Sequence, residues 1–263
     1  MSTPASITIE EVAPEAGPWW FQLYVFADRS FTRDLVARAM AAGASALVVT
    51  VDMPRLGRRE ADERNRFALP AGVTMANIQV PASRLHEEVD AGSGWVAAAP
   101  VVEPALTWDD LEWLASLSPL PVLLKGILHP ADAVRAIEYG IRAILVSNHG
   151  GRQLDNAVAA LDALPAVVEA VAGRVEVLVD GGVRRGTDVL KALALGARAV
   201  LIGRPIHWGL AVGGEAGVRH VLELLRAELA LDLMLCGLAS PDKVDRSLLV
   251  PVVCGASPKS AWA

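Results

Sequence analysis

Cysteine is nearly absent from these 263 residues: only Cys236 and Cys254 occur, without metal-ligand spacing. Two thiols cannot build a disulfide framework, so a reducing compartment and free thiols are expected. The chain also lacks a basic excess. Its formal net charge is -6, and its lysines and arginines are scattered rather than clustered, which argues against a nucleic-acid footprint and for a small-molecule partner. Long apolar runs are missing as well. Charges interrupt each one, as Glu223, Arg226, Glu228 and Asp232 do near the C-terminus, so no membrane-spanning segment is expected. Residues 1–12 carry Glu10 and Glu11 and lack the basic-then-apolar order of a secretory signal.

What is present is a repeated βα pattern, the signature of an α/β fold around a parallel sheet. Apolar, β-branched runs predict six strands, at Phe21 to Val25, Ala46 to Asp52, Pro121 to Gly126, Ala143 to Ser147, Val175 to Asp180 and Ala199 to Gly203. Helical periodicity predicts helices over Ser30 to Ala42, Trp108 to Ser116, Pro130 to Tyr139, Ala157 to Val171, Gly186 to Leu195 and Gly217 to Leu235. Gly43, Gly140 and Gly196 stand where a helix needs a left-handed stop before the next strand. The domain is expected to run over 1–250, with 54–107 as a long Pro-, Gly- and charge-rich loop or lid and 251–263 as an irregular tail.

Every predicted strand ends on polar residues: Gln22 and Tyr24, Thr50 and Asp52, Lys125, Ser147 with Asn148 and His149, Asp180, and Gly203 with Arg204. In parallel α/β folds that rim carries the chemistry. Lys125 follows an apolar run, where a cation must be paired or aimed at a ligand that gains negative charge. An ion pair with Asp52 or Asp180 is the alternative. "SNHGGRQLD", 147–155, sets an imidazole and a guanidinium three residues apart on a glycine-bearing turn, suiting a substrate with an acid group and a proton to lose. His86, His129, His207 and His220 are read as structural. Glycine turns in "LVDGGVRRGTDVLKAL" and "LIGRP" follow the last two strands, where barrels commonly bind phosphate.

Six segments, "FQLYV", "TVDMPRLGRREADERNRF", "LLKGI", "VSNHGGRQLD", "VDGGVRRGTDVLKALALGA" and "IGRPIHWGL", resemble in order the motifs of the FMN-dependent 2-hydroxy acid oxidases and dehydrogenases, the group of glycolate oxidase, lactate oxidase and mandelate dehydrogenase. The match runs from about Ile7 to Val250. The resemblance implies a (β/α)8 barrel of the TIM type that binds FMN at the strand C-terminal rim and oxidises an L-2-hydroxy acid to the 2-oxo acid. By matching positions, His149 is the base, held by Asp52, and Arg152 and Arg59 bind the substrate with Tyr24. Lys125, Gln22 and Thr50 lie at the flavin pyrimidine edge, Ser147 and Asp180 at the flavin or its ribityl chain, and Gly182, Arg184, Gly203 and Arg204 at the phosphate, with Gly181 also binding the cofactor. Oxygen or another electron acceptor completes the cycle.

The resemblance also implies departures. The six strands match the third to eighth of the family barrel, without its N-terminal region and first two βα units. Two raw sheet edges are then expected. Thr3 falls where relatives carry an active-site side chain. A truncated enzyme and a catalytically inactive paralogue, acting as a weak flavin-binding or interaction module, are both open readings. The family implies a homotetramer. Ala261-Trp262-Ala263 does not resemble a peroxisomal tripeptide, so the expected location is cytoplasmic, with the peroxisome second.

Overall fold

The computed structural model describes residues 1–78 and 102–250. Much of the predicted lid, with His86, and the whole predicted tail, with Cys254, lie outside the described residues. Six strands form one parallel sheet in sequential order: β1 (Trp20–Leu23), β2 (Ala46–Thr50), β3 (Val122–Ile127), β4 (Ala143–Val146), β5 (Glu176–Asp180) and β6 (Ala199–Leu201). The helices are α1 (Ile9–Val12), α2 (Arg29–Ala41), α3 (Glu60–Arg64), α4 (Asp109–Ser116), α5 (Pro130–Glu138), α6 (Ala160–Val171), α7 (Gly186–Ala194) and α8 (Arg204–Leu235). All six predicted strands are present, each within a few residues of its expected bounds.

Local chemistry explains where the helices begin and stop. Asp28 caps α2 by accepting from the Ser30 and Phe31 amides at 3.0 and 3.3 Å. His129 caps α5 through Nδ1, which accepts from the Ala131 amide at 3.2 Å, with Pro130 preset in the first turn. That histidine is therefore structural, as its sequence context implied, while His207 and His220 are exposed on α8. Gly43, Gly140 and Gly196 adopt φ of 83°, 77° and 98°, the left-handed stop an L side chain resists.

The period-2 alternation of strand side chains sorts the chain into two layers. Outward residues such as Phe21, Leu47, Leu124 and Ile144 are fully covered beneath the helices, each burial contributing about 1.5–3 kcal/mol. Inward residues Ala46, Val48, Leu123, Ala143, Leu145 and Leu178 form a second, smaller apolar cluster. Two positions further along four of these strands, the same inner face carries Thr50, Lys125, Ser147 and Asp180. The polar rim is thus a continuation of the inner core.

Three expectations change. A helical stretch that was not expected starts at Arg204 and breaks at Gly213 and Gly214, whose backbone is not helical, before the helix expected over Gly217 to Leu235. The region after β2 holds a short helix, α3. The outer edge of β1 is not raw: Ser2 bridges Gln22, the Gln22 amide donates to Met1 O at 2.8 Å, and the terminal amine donates to Trp20 O at 2.7 Å. Thr3, at the position where the resemblance puts an active-site side chain, is fully buried and donates its hydroxyl to the main-chain O of the rim residue Gln22 at 2.5 Å.

One irregularity positions the site. The β3–β4 register slips between Lys125 and Ile127, and Gly126, the bulged residue, sits at φ 107°. A Cβ there would stand 2.6 Å from Asp52 Cβ and 2.9 Å from Asp52 N. The bulge therefore makes the seat on which Asp52 rests. Gly126→Ala is expected to lower stability by about 1–3 kcal/mol from backbone strain alone, read as a lower urea midpoint. An unchanged midpoint would show that Asp52 needs no such seat.

Candidate functional site

The loops after β2 and β4 meet above the rim. β2 delivers Asp52 and β4 delivers His149, whose Nδ1 lies 2.9 Å from Asp52 Oδ1. His149 has φ 57° and is followed by Gly150 and Gly151 at 67° and 72°, a left-handed turn that a non-glycine residue rarely heads. The turn is held by side chains on both sides. Its His149 amide donates to Ser147 Oγ at 3.0 Å, and the Gly151 amide donates to Asn148 Oδ1 at 3.1 Å.

Lys125 projects from the inner face of β3 and donates to Ser147 Oγ at 2.9 Å while lying 3.4 Å from Asp180 Oδ2. The anticipated alternative pairing exists, then, and its partner is Asp180; Asp52 goes to His149 instead. None of the four is sealed from solvent, since their side chains remain 12–17% exposed. On the far side, Gln22 Nε2 donates to Thr50 Oγ1 at 2.9 Å, and Gln22 Oε1 accepts from Ser2 Oγ at 2.8 Å.

Tyr24 is buried. Burial, and next the Asp52 carboxylate, push its phenol up to about 12, against the opposing pull of Arg59 and Arg152. Arg59 is drawn below the ordinary arginine value by burial and then by Arg152, with Asp62 and Tyr24 acting the other way. Tyr24, Asp52, Arg59 and Arg152 therefore share one electrostatic neighbourhood: two guanidinium groups, a carboxylate and a phenol that stays neutral.

The glycine turns open on the same rim. Gly181 and Gly182 follow β5 at φ 88° and 80°, and space is open where a Cβ on Gly182 would stand. Gly203 and Arg204 begin α8 beside β6. The Arg184, Arg185 and Gly186 amides are already taken, the first two by Asp188 Oδ2 and the third by Glu228 Oε2. The start of α7 is thus less available to an anion than its sequence implied. Arg184 stacks over Trp208 at 4.8 Å, and Arg204 Nη2 donates to Gly150 O at 3.3 Å.

Sequence reasoning missed Gln153. Its Nε2 donates to Asp52 O and Arg55 O at 3.3 and 2.9 Å, and its Oε1 accepts from the Gly57 amide at 3.2 Å. Trp208 was missed too. A cavity of about 330 Å³ lies behind the sheet, between the outer face of β2 and β3 and α4, and its apolar walls include Leu124, Leu111 and Trp108. It holds none of the imidazole, guanidinium or ammonium groups of the rim.

The charges and glycine turns of the rim suit an anionic ligand that carries a phosphate. Asp52 Oδ2 and Asp180 Oδ1 are buried with no hydrogen-bond partner among the described residues, which asks for donors from a bound molecule. Lys125, Arg184 and Arg204 bring positive charge, and the Gly181–Gly182 turn permits close backbone approach.

Comparison with known proteins agrees. The chain is 55% identical to an L-lactate oxidase from Nostoc sp., over 95% of its own length and 70% of that relative. It is 49% identical to 2-hydroxyacid oxidase 1 from Homo sapiens, over 95% of its length and 69% of the relative. A crystal structure of mandelate oxidase with (S)-2-phenylpropionate superposes with a TM-score of 0.82 at 47% identity, covering 94% of this chain and 67% of that one. The family described as FMN-dependent dehydrogenase matches residues 1–251. With six parallel strands, a polar inner rim and that match over nearly its whole length, the chain belongs to the FMN-dependent dehydrogenase family.

Proposed function

We propose that this chain binds FMN at the inner rim and oxidises a short L-2-hydroxy acid, of the lactate or glycolate type, to the 2-oxo acid. The observation that carries the reading is the 2.9 Å contact between His149 Nδ1 and Asp52 Oδ1, with Arg152 on the same turn. With Nδ1–H donating to Asp52, the tautomer leaves Nε2 as the nitrogen able to take a proton. Asp52 then stabilises the imidazolium that forms. Arg152 and Arg59 bind the substrate carboxylate, where a planar guanidinium can offer two parallel hydrogen bonds.

FMN, when bound, supplies a two-electron acceptor whose reduced ring carries negative charge. Lys125 faces that charge with an ammonium already fixed by Ser147 and Asp180, so little reorganisation is needed during the reaction. Gln22 and Thr50 would hold the ring edge, Ser147 and Asp180 the ring or ribityl chain, and Gly182, Gly203, Arg184 and Arg204 the phosphate, with Gly181 also at the cofactor. Oxygen or another electron acceptor would be the second substrate. Tyr24 stays a neutral phenol throughout the physiological range and donates to the substrate oxygen. Relatives support this substrate class: their names include L-lactate oxidase and 2-hydroxyacid oxidase.

Turnover of L-lactate or glycolate by the FMN-loaded chain tests the reading. His149→Ala is expected to lower kcat by about 10²–10⁴-fold, the usual worth of a general base, with FMN content nearly intact; equal activity would remove the proposed base. Arg152→Met is expected to raise KM far more than it alters FMN content, and unchanged kinetics would discredit the carboxylate clamp.

Tyr24 gives a pH test. An unfolded tyrosine ionises near 10, whereas Tyr24 holds its proton to about 12. Its contribution to stability is thus complete below about pH 10 and is lost as pH rises through 12. The phenolate absorbance difference between wild type and Tyr24→Phe should be half-developed near pH 12. A midpoint near 10 would contradict the burial argument.

A further inference from the structure

Resting on the carboxylate reading above, the geometry points to Gln153 as a positioning residue: its carboxamide ties the loop after β2 to the loop after β4, keeps Arg59 beside Arg152, and so builds a two-guanidinium acceptor for the substrate acid.

Between the end of β2 at Thr50 and the start of α3 at Glu60 the chain has no regular structure, yet Arg59 must be delivered at its far end. Two like charges placed together push apart, and the loop that carries one of them needs a restraint. Gln153, the residue after Arg152, supplies it from the opposite loop. Its Nε2 donates to Asp52 O at 3.3 Å and Arg55 O at 2.9 Å, and its Oε1 accepts from Gly57 N at 3.2 Å. The bonds span positions 52 to 57, ending two residues short of Arg59.

The main chains themselves touch at this point. A Cβ on Gly57 would stand 2.5 Å from Arg152 O and 2.7 Å from Gln153 Cα, so only glycine lets the loop come this close. The side chain at 153 must donate and accept at once, to two carbonyls and one amide. A carboxamide does both. Glutamate would turn an acceptor toward the two carbonyls, and methionine would keep the shape without the bonds. Arg59 lies below the ordinary arginine value, first through burial and second through the charge of Arg152, in keeping with two guanidinium groups on the tied loops.

A cross-link that merely stabilises the fold would act independently of Arg59, and a tether that positions Arg59 would not. A mutant cycle on the FMN-loaded chain separates them. The probe is pyruvate, which carries the carboxylate but no 2-C–H bond to oxidise, and the readout is its dissociation constant by calorimetry, alongside hydrogen exchange at the Gly57 amide. Gln153→Met is expected to speed Gly57 exchange and to weaken pyruvate binding roughly tenfold, the scale of one lost charge-assisted hydrogen bond. Arg59→Met should weaken it about equally, and the double variant no further.

Multiplying losses in the double variant, or faster Gly57 exchange with unchanged pyruvate affinity, would overturn the tether alone. Unchanged affinity in both Arg59→Met and Arg152→Met would instead overturn the carboxylate reading and the tether with it. Gln153→Asn, which keeps the carboxamide but shortens its reach, runs through the same cycle with the same expected coupling if the methionine variant fails to retain FMN.

Discussion

The contact between Asp52 and His149 organises the rest of the site, because each partner depends on a distortion elsewhere. Asp52 can lie where it does because β3 bulges at Gly126 and offers no Cβ. His149 can reach it because its own backbone, with the next two glycines, takes a left-handed turn. Both distortions cost conformational free energy, and the hydrogen bonds of Ser147, Asn148 and Gln153 hold them in place. A carboxylate fixed against one ring nitrogen sets the tautomer and leaves the other nitrogen for chemistry.

The parity of parallel strands does the remaining positioning. Val48, Leu123, Leu145 and Leu178 pack the inner face, and two residues later Thr50, Lys125, Ser147 and Asp180 emerge on that same face at the rim. The outward residues between them pack against helices, so a rotamer change at the rim is resisted by the core one layer below. Lys125 shows the consequence: its ammonium is already pinned between Ser147 and Asp180 and does not need to be ordered by a ligand.

The parts of this arrangement that were legible in the sequence are those with short-range signatures. Apolar β-branched runs located the strands, glycine stops ended the helices, and strand-end position singled out Lys125, His149 and Asp180. The illegible parts depend on contacts between distant segments. Nothing around Gly126 announces a bulge, because its meaning lies in Asp52, whose side chain fills the space. A glutamine in a polar turn carries no signature, so Gln153 emerged only once its partners at 52–57 were in place.

The central claim is that Asp52 makes His149 a base toward substrate. Anaerobic mixing of the FMN-loaded Asp52→Asn chain with L-lactate, followed by the bleaching of flavin colour, tests it most directly. The account predicts that wild type bleaches in a single turnover and that the variant, with FMN still bound, does so about a hundredfold or more slowly. Bleaching of the variant at the wild-type rate would contradict it.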